Sequence, residues 1–148
     1  VKELLGKLGE VLFWKIAMKP GRPLAYGRIG SAHFFGLPGN PVSVMVTFYE
    51  FVRDALLVLQ GRANVAPMPM FKATLGAPIR KAPGRTEFQR GVLTPDDAGG
   101  WQVRTTGDQG SGILSSMSQA NCFIVLPAET GNVEAGTAVD VQLLEGLI

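Results

Sequence analysis

Several residue types are scarce in this sequence, and each scarcity excludes a class of protein. The 148 residues include one cysteine and one histidine. A single cysteine excludes an internal disulfide and a cysteine-based metal cluster, and a single histidine argues against a His-rich zinc site. No run of 18 apolar residues occurs, so the sequence predicts no membrane-spanning helix and no membrane partner. The first apolar stretch contains charges, unlike a signal peptide, and we expect a cytoplasmic protein or a piece of one.

Charged residues are also few. They make up 18% of the chain, and the formal net charge is only +2, too small to indicate a nucleic-acid-binding protein. Hydrophobic residues make up 46%, which excludes a disordered chain. The first 60 residues carry a net positive charge and the remainder a slightly negative one. The turn-rich stretch 61–69 lies where the sign of the net charge changes. We therefore predict two units, residues 1–62 and 63–148.

The first half is expected to mix helix with strand. Turn residues separate three apolar runs, and a helical spacing of leucines precedes them. We predict the end of a helix over Lys2–Glu10 and strands over Leu12–Met18, Leu24–Ile29 and Ala32–Gly36.

One long helix has both a start and a stop signal. Asn40 is a favoured N-cap residue, Pro41 suits the first helical position, and Gly61 suits the position after the last turn. No glycine or proline occurs over Val42–Gln60, and the polar face is narrow, so we expect this helix to be buried on most sides. Strands beside such a helix indicate an α/β layer.

The second half lacks a long helical period. Short runs of β-branched and apolar residues alternate with turn residues, which is typical of a small β-barrel or sandwich. We predict five strands, over Phe71–Leu75, Thr86–Leu93, Trp101–Thr106, Cys122–Leu126 and Ala138–Leu144.

The segment Gly36-Leu37-Pro38-Gly39-Asn40-Pro41-Val42-Ser43 joins a predicted strand to the long helix. Its glycines allow a tight turn and a close approach to a ligand, and we expect Gly39 to use a positive φ. The helix start leaves free N–H groups at its positive end, which suits an anion, and Ser43 would add a hydroxyl. A plain tight turn with a good N-cap explains the same residues equally well.

Cations precede this loop. Lys15 and Lys19 are four residues apart, so both would point to the same face of a strand, and Arg22 follows the next turn. Three cations near a helix N-terminus would suit a polyanion. An exposed basic edge that discourages strand aggregation is the alternative interpretation.

The second half offers two further polar segments. Arg90 would share a strand face with Phe88, an unusual place for an unpaired arginine. The hydroxyl-rich stretch 105–118 is suited to wrapping an oxyanion with neutral donors, or is a flexible surface loop. His33 has no second histidine or cysteine nearby in sequence, and neither a CxxC pair nor a Walker loop is present.

Taken in order, these motifs resemble those of the molybdopterin molybdenumtransferase family, which includes the E domain of gephyrin. The resemblance rests on Lys15–Pro23, Gly36–Ser43, Gly84–Arg90, Thr106–Ser111, Ser118–Cys122 and Gly131–Val133. It implies the C-terminal part of a molybdopterin-binding α/β domain of three-layer type in residues 1–62. A small all-β barrel domain would follow in residues 63–148.

The resemblance also implies an activity. The family inserts molybdenum from molybdate into adenylated molybdopterin during molybdenum cofactor biosynthesis, with Mg²⁺ involved. It implies small-molecule substrates, a homodimer, and a molybdopterin-adenylating enzyme as a partner. The family's acidic metal-binding residues lie upstream of this stretch, so we expect the Mg²⁺ ligands outside it and the fragment alone to be inactive.

Matched motif to motif, the resemblance assigns substrate contacts to particular residues. Lys15 and Lys19 would contact the pterin phosphates or molybdate. Arg90 and Ser116 would contact molybdate from the barrel side, across a cleft between the domains. The loop and helix start would contribute Pro38, Gly39, Asn40, Pro41 and Ser43, and the alternatives to Ser116 are Ser115 and Ser118.

Two other functions stay open. The resemblance to gephyrin also allows a non-catalytic scaffold, which would show an exposed apolar groove along the barrel or between the domains. A barrel that binds single-stranded nucleic acid would need basic residues interleaved with exposed aromatics, and the slightly acidic, aromatic-poor second half argues against it.

One departure from the family pattern is Asp108, where a histidine is common, which removes a cationic option there.

Overall fold

The computed structural model describes residues 6–7, 9–13, 15–110 and 112–144. Most of the helix predicted over Lys2–Glu10 therefore lies outside the described residues, and Glu10 itself begins a strand. In the described part of the chain, no helix is long and apolar enough to cross a membrane.

A three-stranded antiparallel sheet comes first. It consists of β1 (Glu10–Phe13), β3 (Ala25–Ile29) and β4 (Ala32–Gly36), in the order β1-β3-β4. Gly30 turns the chain between β3 and β4 with a φ of 59°, which only glycine adopts freely. The strands and the turn predicted for this hairpin are confirmed.

The single strand predicted over Leu12–Met18 is wrong. The segment divides into β1 and a two-residue strand, β2 (Met18–Lys19). The physical reason is that the two pieces have different partners: β1 pairs with β3, whereas β2 pairs in parallel with a strand of the second half.

The long helix begins and ends where its sequence signals predicted. It comprises α1 (Pro41–Thr47), a π-helical turn (Phe48–Val52) and α2 (Arg53–Leu59). The π-helical turn is marked by the N–H of Arg53, which donates to the carbonyl of Phe48 five residues earlier. Gly61 follows with a φ of 90°, as expected for a residue that terminates a helix.

The expectation that this helix is buried on most sides is wrong for the described residues. Val42 and Val46 are fully buried on one face, whereas Val58 is 58% exposed and Leu59 is 53% exposed. Apolar composition alone does not show which neighbours cover a helix. Here one face packs against the barrel and the opposite face is open.

The second half forms the predicted barrel of five strands. These are β5 (Met70–Leu75), β6 (Thr86–Pro95), β7 (Trp101–Thr105), β8 (Cys122–Leu126) and β9 (Ala138–Leu143). They follow the order β6-β7-β5-β9-β8, and β8 pairs with β6 to close the barrel. The β5–β7 pair is parallel and the others are antiparallel. The prediction of an α/β segment followed by an all-β barrel is therefore confirmed.

One hydrophobic core fills the barrel, and the barrel and the helix share a second one. Met18 of β2, Val42 and Val46 of α1, and Phe88 and Phe123 of the barrel pack together there. A short helix, α3 (Ser115–Gln119), contributes the buried side chain of Met117 to the same cluster. This core fixes the start of α1 beside the barrel. The boundary after residue 62 stays a prediction.

Candidate functional site: a cleft at the helix start

A cleft of about 380 Å³ lies between the start of α1 and the barrel. Three segments that are far apart in sequence form its walls: the β2 turn, the loop into α1, and a barrel loop. The residues that line it are Met18, Lys19, Pro20, Gly21, Arg22, Pro23, Pro38, Gly39, Asn40, Ser43, Arg85, Gln109 and Gly110.

The helix start forms one wall, and its role in binding an anion stays a prediction. The Oδ1 atom of Asn40 accepts from the N–H of Val42 at 3.2 Å, which is the expected N-cap bond. Ser43 is 5% exposed and lines the cleft one turn into the helix. Pro41 is the first helical residue, and its missing N–H is of no consequence there.

Gly39 lines this wall as well, but the reason expected for a glycine there is wrong. Its φ lies outside the left-handed region, and a Cβ built on it would have nothing within 4 Å. Gly21 shows the property expected of Gly39. Its φ is 99°, and a Cβ there would stand 2.5 Å from the Thr47 side chain, so this position requires glycine.

Cations form the second wall. Lys19 lines the cleft, and its Nζ atom lies 3.3 Å from Oε1 of Glu87. Lys15 borders a neighbouring cleft instead, because the chain between the two lysines is not a continuous strand. Arg22 and Arg85 line both clefts. The sequence did not single out Arg85, since only the parallel pairing of β2 with β6 brings it beside Lys19.

The barrel loop before α3 forms the third wall. Gln109 lines the cleft while its side-chain amide bonds to the backbone of Arg90 in both directions. Its Oε1 accepts from the Arg90 N–H at 2.7 Å, and its Nε2 donates to the Arg90 carbonyl at 3.1 Å. A glutamine used in this way fixes the loop against β6 as an extra strand residue would. The sequence did not predict this role for Gln109.

The side chains of Arg90 and Ser116 lie behind this loop and do not line the cleft. Arg90 is 1% exposed and Ser116 is 2% exposed. The Nε atom of Arg90 donates to Oγ of Ser116 at 2.9 Å, and its Nη2 donates to the carbonyl of Gly110 at 3.1 Å. Burial lowers the pKa of the Arg90 guanidinium, and the charge of Asp108 partly opposes that shift. Their direct contact with molybdate stays a prediction.

Family models match both halves of the chain. Residues 1–58 match a probable molybdopterin-binding domain, and residues 72–144 match the MoeA C-terminal region, domain IV. The chain belongs to the molybdopterin molybdenumtransferase family. The resemblance seen in the sequence motifs is therefore confirmed.

Relatives of the family match nearly the whole chain. A molybdopterin molybdenumtransferase of Haemophilus influenzae is 45% identical over 99% of this chain, which spans 36% of that protein. Gephyrin of Dictyostelium discoideum is 35% identical over 97% of the chain, which spans 23% of it. A crystal structure of the molybdopterin biosynthesis MoeA protein of Pyrococcus horikoshii has a TM-score of 0.74 at 33% identity, covering 93% of this chain and 33% of that one. The chain thus spans between 23% and 36% of the length of these three relatives.

The Mg²⁺ that the family resemblance implies does not fit the described residues. No group of three or more His, Cys, Asp or Glu side chains within them is placed to hold a metal ion. Glu87, the carboxylate beside the cleft, is bonded by Lys19 and by the amide of Gln89 at 2.9 Å. Mg²⁺ prefers carboxylate oxygens and water, and the described residues offer it no such set of carboxylates.

Proposed function

We propose that this chain is the C-terminal part of an enzyme that transfers molybdenum from molybdate to adenylated molybdopterin. The observation that carries the proposal is the single cleft that Lys19, Asn40 and Ser43 line together. A tetrahedral oxyanion needs several donors that converge on one point. The names of the relatives support molybdopterin chemistry for the longer protein.

In this proposal the chain's own residues bind and orient substrate. Lys19 supplies positive charge, Ser43 donates a hydrogen bond at the positive end of α1, and Pro38, Gly39 and Pro41 shape the loop between them. Because these groups are held by the fold before substrate arrives, little reorganisation opposes binding. The Mg²⁺ ligands would come from residues outside this stretch.

The proposal includes partners. We expect a homodimer in the longer protein, since the open face of the helix exposes apolar side chains to water, and a partner that covered them would be stabilised by their burial. A molybdopterin-adenylating enzyme would supply the substrate. The scaffold alternative needs an exposed apolar groove along the barrel or between the domains. The densest group of exposed apolar residues described lies instead on the helix: Phe48, Phe51, Leu56, Val58 and Leu59.

The test compares variants of the full-length protein with adenylated molybdopterin, molybdate and Mg²⁺. Lys19→Ala and Ser43→Ala should each raise the molybdate concentration needed for half-maximal AMP release by about 10- to 100-fold, the loss of one charge-assisted hydrogen bond. Lys72→Ala is the matched control, because Lys72 is an exposed barrel lysine paired with Asp140. Unchanged molybdate dependence in both cleft variants would exclude this cleft as the oxyanion site.

A second measurement tests the dependence on the rest of the protein. Residues 1–148 alone, with the same substrates, should release no AMP above background. Turnover by this fragment at a rate near that of the full-length enzyme would show that the carboxylates we expect elsewhere are dispensable.

A further inference from the structure

Two arginines border two clefts: Arg22, which the sequence placed among the cations before the helix loop, and Arg85, which the sequence did not single out. Arg22 and Arg85 line the cleft at the start of α1 and also a second cleft of about 430 Å³. The other residues that line the second cleft are Lys15, Ile16, Ala17, Pro83 and Gly84. Because the same two residues border both spaces, the clefts adjoin, and a ligand that extends from one to the other lies against both arginines.

The backbone holds the loops of these two arginines together. The N–H of Thr86, next to Arg85, donates to the carbonyl of Ala17 at 3.0 Å. The N–H of Ile16 donates to the carbonyl of Arg22 at 3.1 Å, which closes the other loop on itself. The backbone positions from which the two arginine side chains extend are therefore set before any ligand binds.

A buried lysine anchors the loop that carries Arg85. Lys81 is 6% exposed, and its Nζ donates to the carbonyl of Thr130 at 2.7 Å and, more weakly, to those of Ala82 and Ala128 at 3.4 Å. The N–H of Gly84 donates to the same Ala128 carbonyl at 2.7 Å. Burying an ammonium costs free energy unless its hydrogen bonds are satisfied, and these bonds keep the loop in one conformation.

The charge of this wall is not neutralised by its neighbours. Among the described residues, no carboxylate forms an ion pair with Lys15, Arg22 or Arg85. The residues that line the two clefts include no Asp or Glu. Two guanidinium groups and an ammonium around one space suit a phosphate, because the arginine fork matches its oxygens.

We propose that the second cleft is a phosphate subsite in which Lys15, Arg22 and Arg85 bind a phosphate group of the substrate. The inference rests on the proposed function and extends it. Molybdate occupies the cleft at the start of α1, and the phosphoanhydride of the adenylated substrate lies along the wall between the two clefts. Lys15 and Lys19 then have different ligands, the phosphate and the oxyanion respectively.

The experiment measures two ligands separately in the full-length protein. The Arg22→Ala/Arg85→Ala double variant should bind AMP and inorganic pyrophosphate at least tenfold more weakly, and Arg22→Lys/Arg85→Lys should recover part of the loss. Arg62→Ala, which removes an exposed arginine after the helix, is the matched control. Because Arg22 and Arg85 also border the cleft at the start of α1, the molybdate concentration for half-maximal turnover should rise as well, but by less than the affinities for AMP and pyrophosphate fall. The thermal unfolding midpoint should stay unchanged.

The remaining outcomes distinguish a failure of the phosphate subsite from a failure of the proposed function. Unchanged affinity for both phosphate ligands, or an equal loss for molybdate, would overturn the subsite while leaving molybdenum transfer intact. A loss for AMP without a loss for pyrophosphate would assign recognition to the nucleoside and also overturn it. Weakened binding of AMP and pyrophosphate in a protein that transfers no molybdenum would support the subsite and reject the proposed reaction.

Discussion

The Nε atom of Arg90 lies 2.9 Å from Oγ of Ser116, and both side chains are buried. The Ser116 hydroxyl in turn donates to the carbonyl of Ile113 at 2.6 Å. Gln109, which the same arginine's backbone holds, lines the cleft directly. Arg90 therefore supports the loop that places Gln109 in the cleft wall, and the position of this loop depends on its bonds to β6.

We expect Arg90→Ala to loosen this loop. The substitution removes bonds to Ser116 and Gly110 and should lower the free energy of unfolding by about 1.5–3 kcal/mol, the range for hydrogen bonds to charged groups. Hydrogen exchange at residues 108–113 should accelerate, and Arg90→Lys should not restore protection because lysine lacks the fork. Arg104→Ala, an exposed arginine on β7, is the control. Altered molybdate dependence with unchanged exchange would instead favour direct contact.

Glu50 should make stability depend on pH. It lies in the π-helical turn, where burial raises its pKa to about 7, against the opposing effect of a hydrogen bond from Gln142 at 2.9 Å. A raised carboxyl pKa means that its contribution is present below the ordinary value of 4.5 and is lost as the pH rises through about 7.

Glu50→Gln removes this titration and keeps an oxygen for Gln142. It should stabilise the protein at pH 8 by on the order of 1–2 kcal/mol, allowing for solvent screening of a partly exposed group, and have little effect at pH 4.5. Thermal unfolding at the two pH values measures the difference. Asp97→Asn, in an exposed turn, is the control. An effect of equal size at both pH values would contradict the assignment.

Gly91 should not tolerate a side chain. A Cβ there would lie 3.0 Å from Cys122 Sγ, Ile124 Cγ1 and Val103 Cγ2, all in the barrel core. Gly91→Ala should therefore destabilise the barrel by about 1–3 kcal/mol, the usual cost of overpacking. Gly131→Ala is the control, since a Cβ at Gly131 would meet nothing within 4 Å.

The reactivity of the Cys122 thiol gives an independent measure of how far Gly91→Ala destabilises the barrel. Its side chain is fully buried, and burial raises its pKa to about 12, so a thiol reagent should modify it only when the barrel opens. Mass spectrometry should find faster labelling of Cys122 in Gly91→Ala than in Gly131→Ala. Equal labelling rates in the two variants would show that the core accommodates the extra methyl group.

Local signals predicted those parts of the fold that depend on neighbours in sequence. Asn40 and Gly61 marked the ends of the helix, and β-branched runs such as Cys122–Leu126 marked the barrel strands. The two-residue strand β2 was not predictable, because only its partner β6 makes Met18–Lys19 a strand. The open face of the helix was not predictable either, because the composition of a helix does not show which long-range neighbours cover it.

The site was predictable in part. The donors at the helix start follow from capping rules, and the resemblance to the family's motifs identified Lys15 and Lys19 as candidate contacts. Gln109 and Arg85 gave no local signal, because their place depends on long-range pairing and on a loop bonded to the backbone of Arg90. The buried pair of Arg90 and Ser116 shows that residue types suited to an oxyanion also suit the support of a loop.

The two adjacent residues Gly39 and Asn40 should respond in opposite ways to alanine. Gly39→Ala meets no atom within 4 Å, and its φ is outside the left-handed region, so the unfolding free energy should change by less than about 0.5 kcal/mol. Asn40→Ala removes the bond from Asn40 Oδ1 to the Val42 N–H and should cost about 1 kcal/mol, as N-cap losses do. Molybdate dependence should follow the same order, because the helix start that we propose as the oxyanion site frays only in the second variant. Thermal unfolding and a molybdate titration of both full-length variants measure this. Equal destabilisation by the two substitutions would show that the loop depends on Gly39 as much as on the Asn40 cap, which would contradict the prediction.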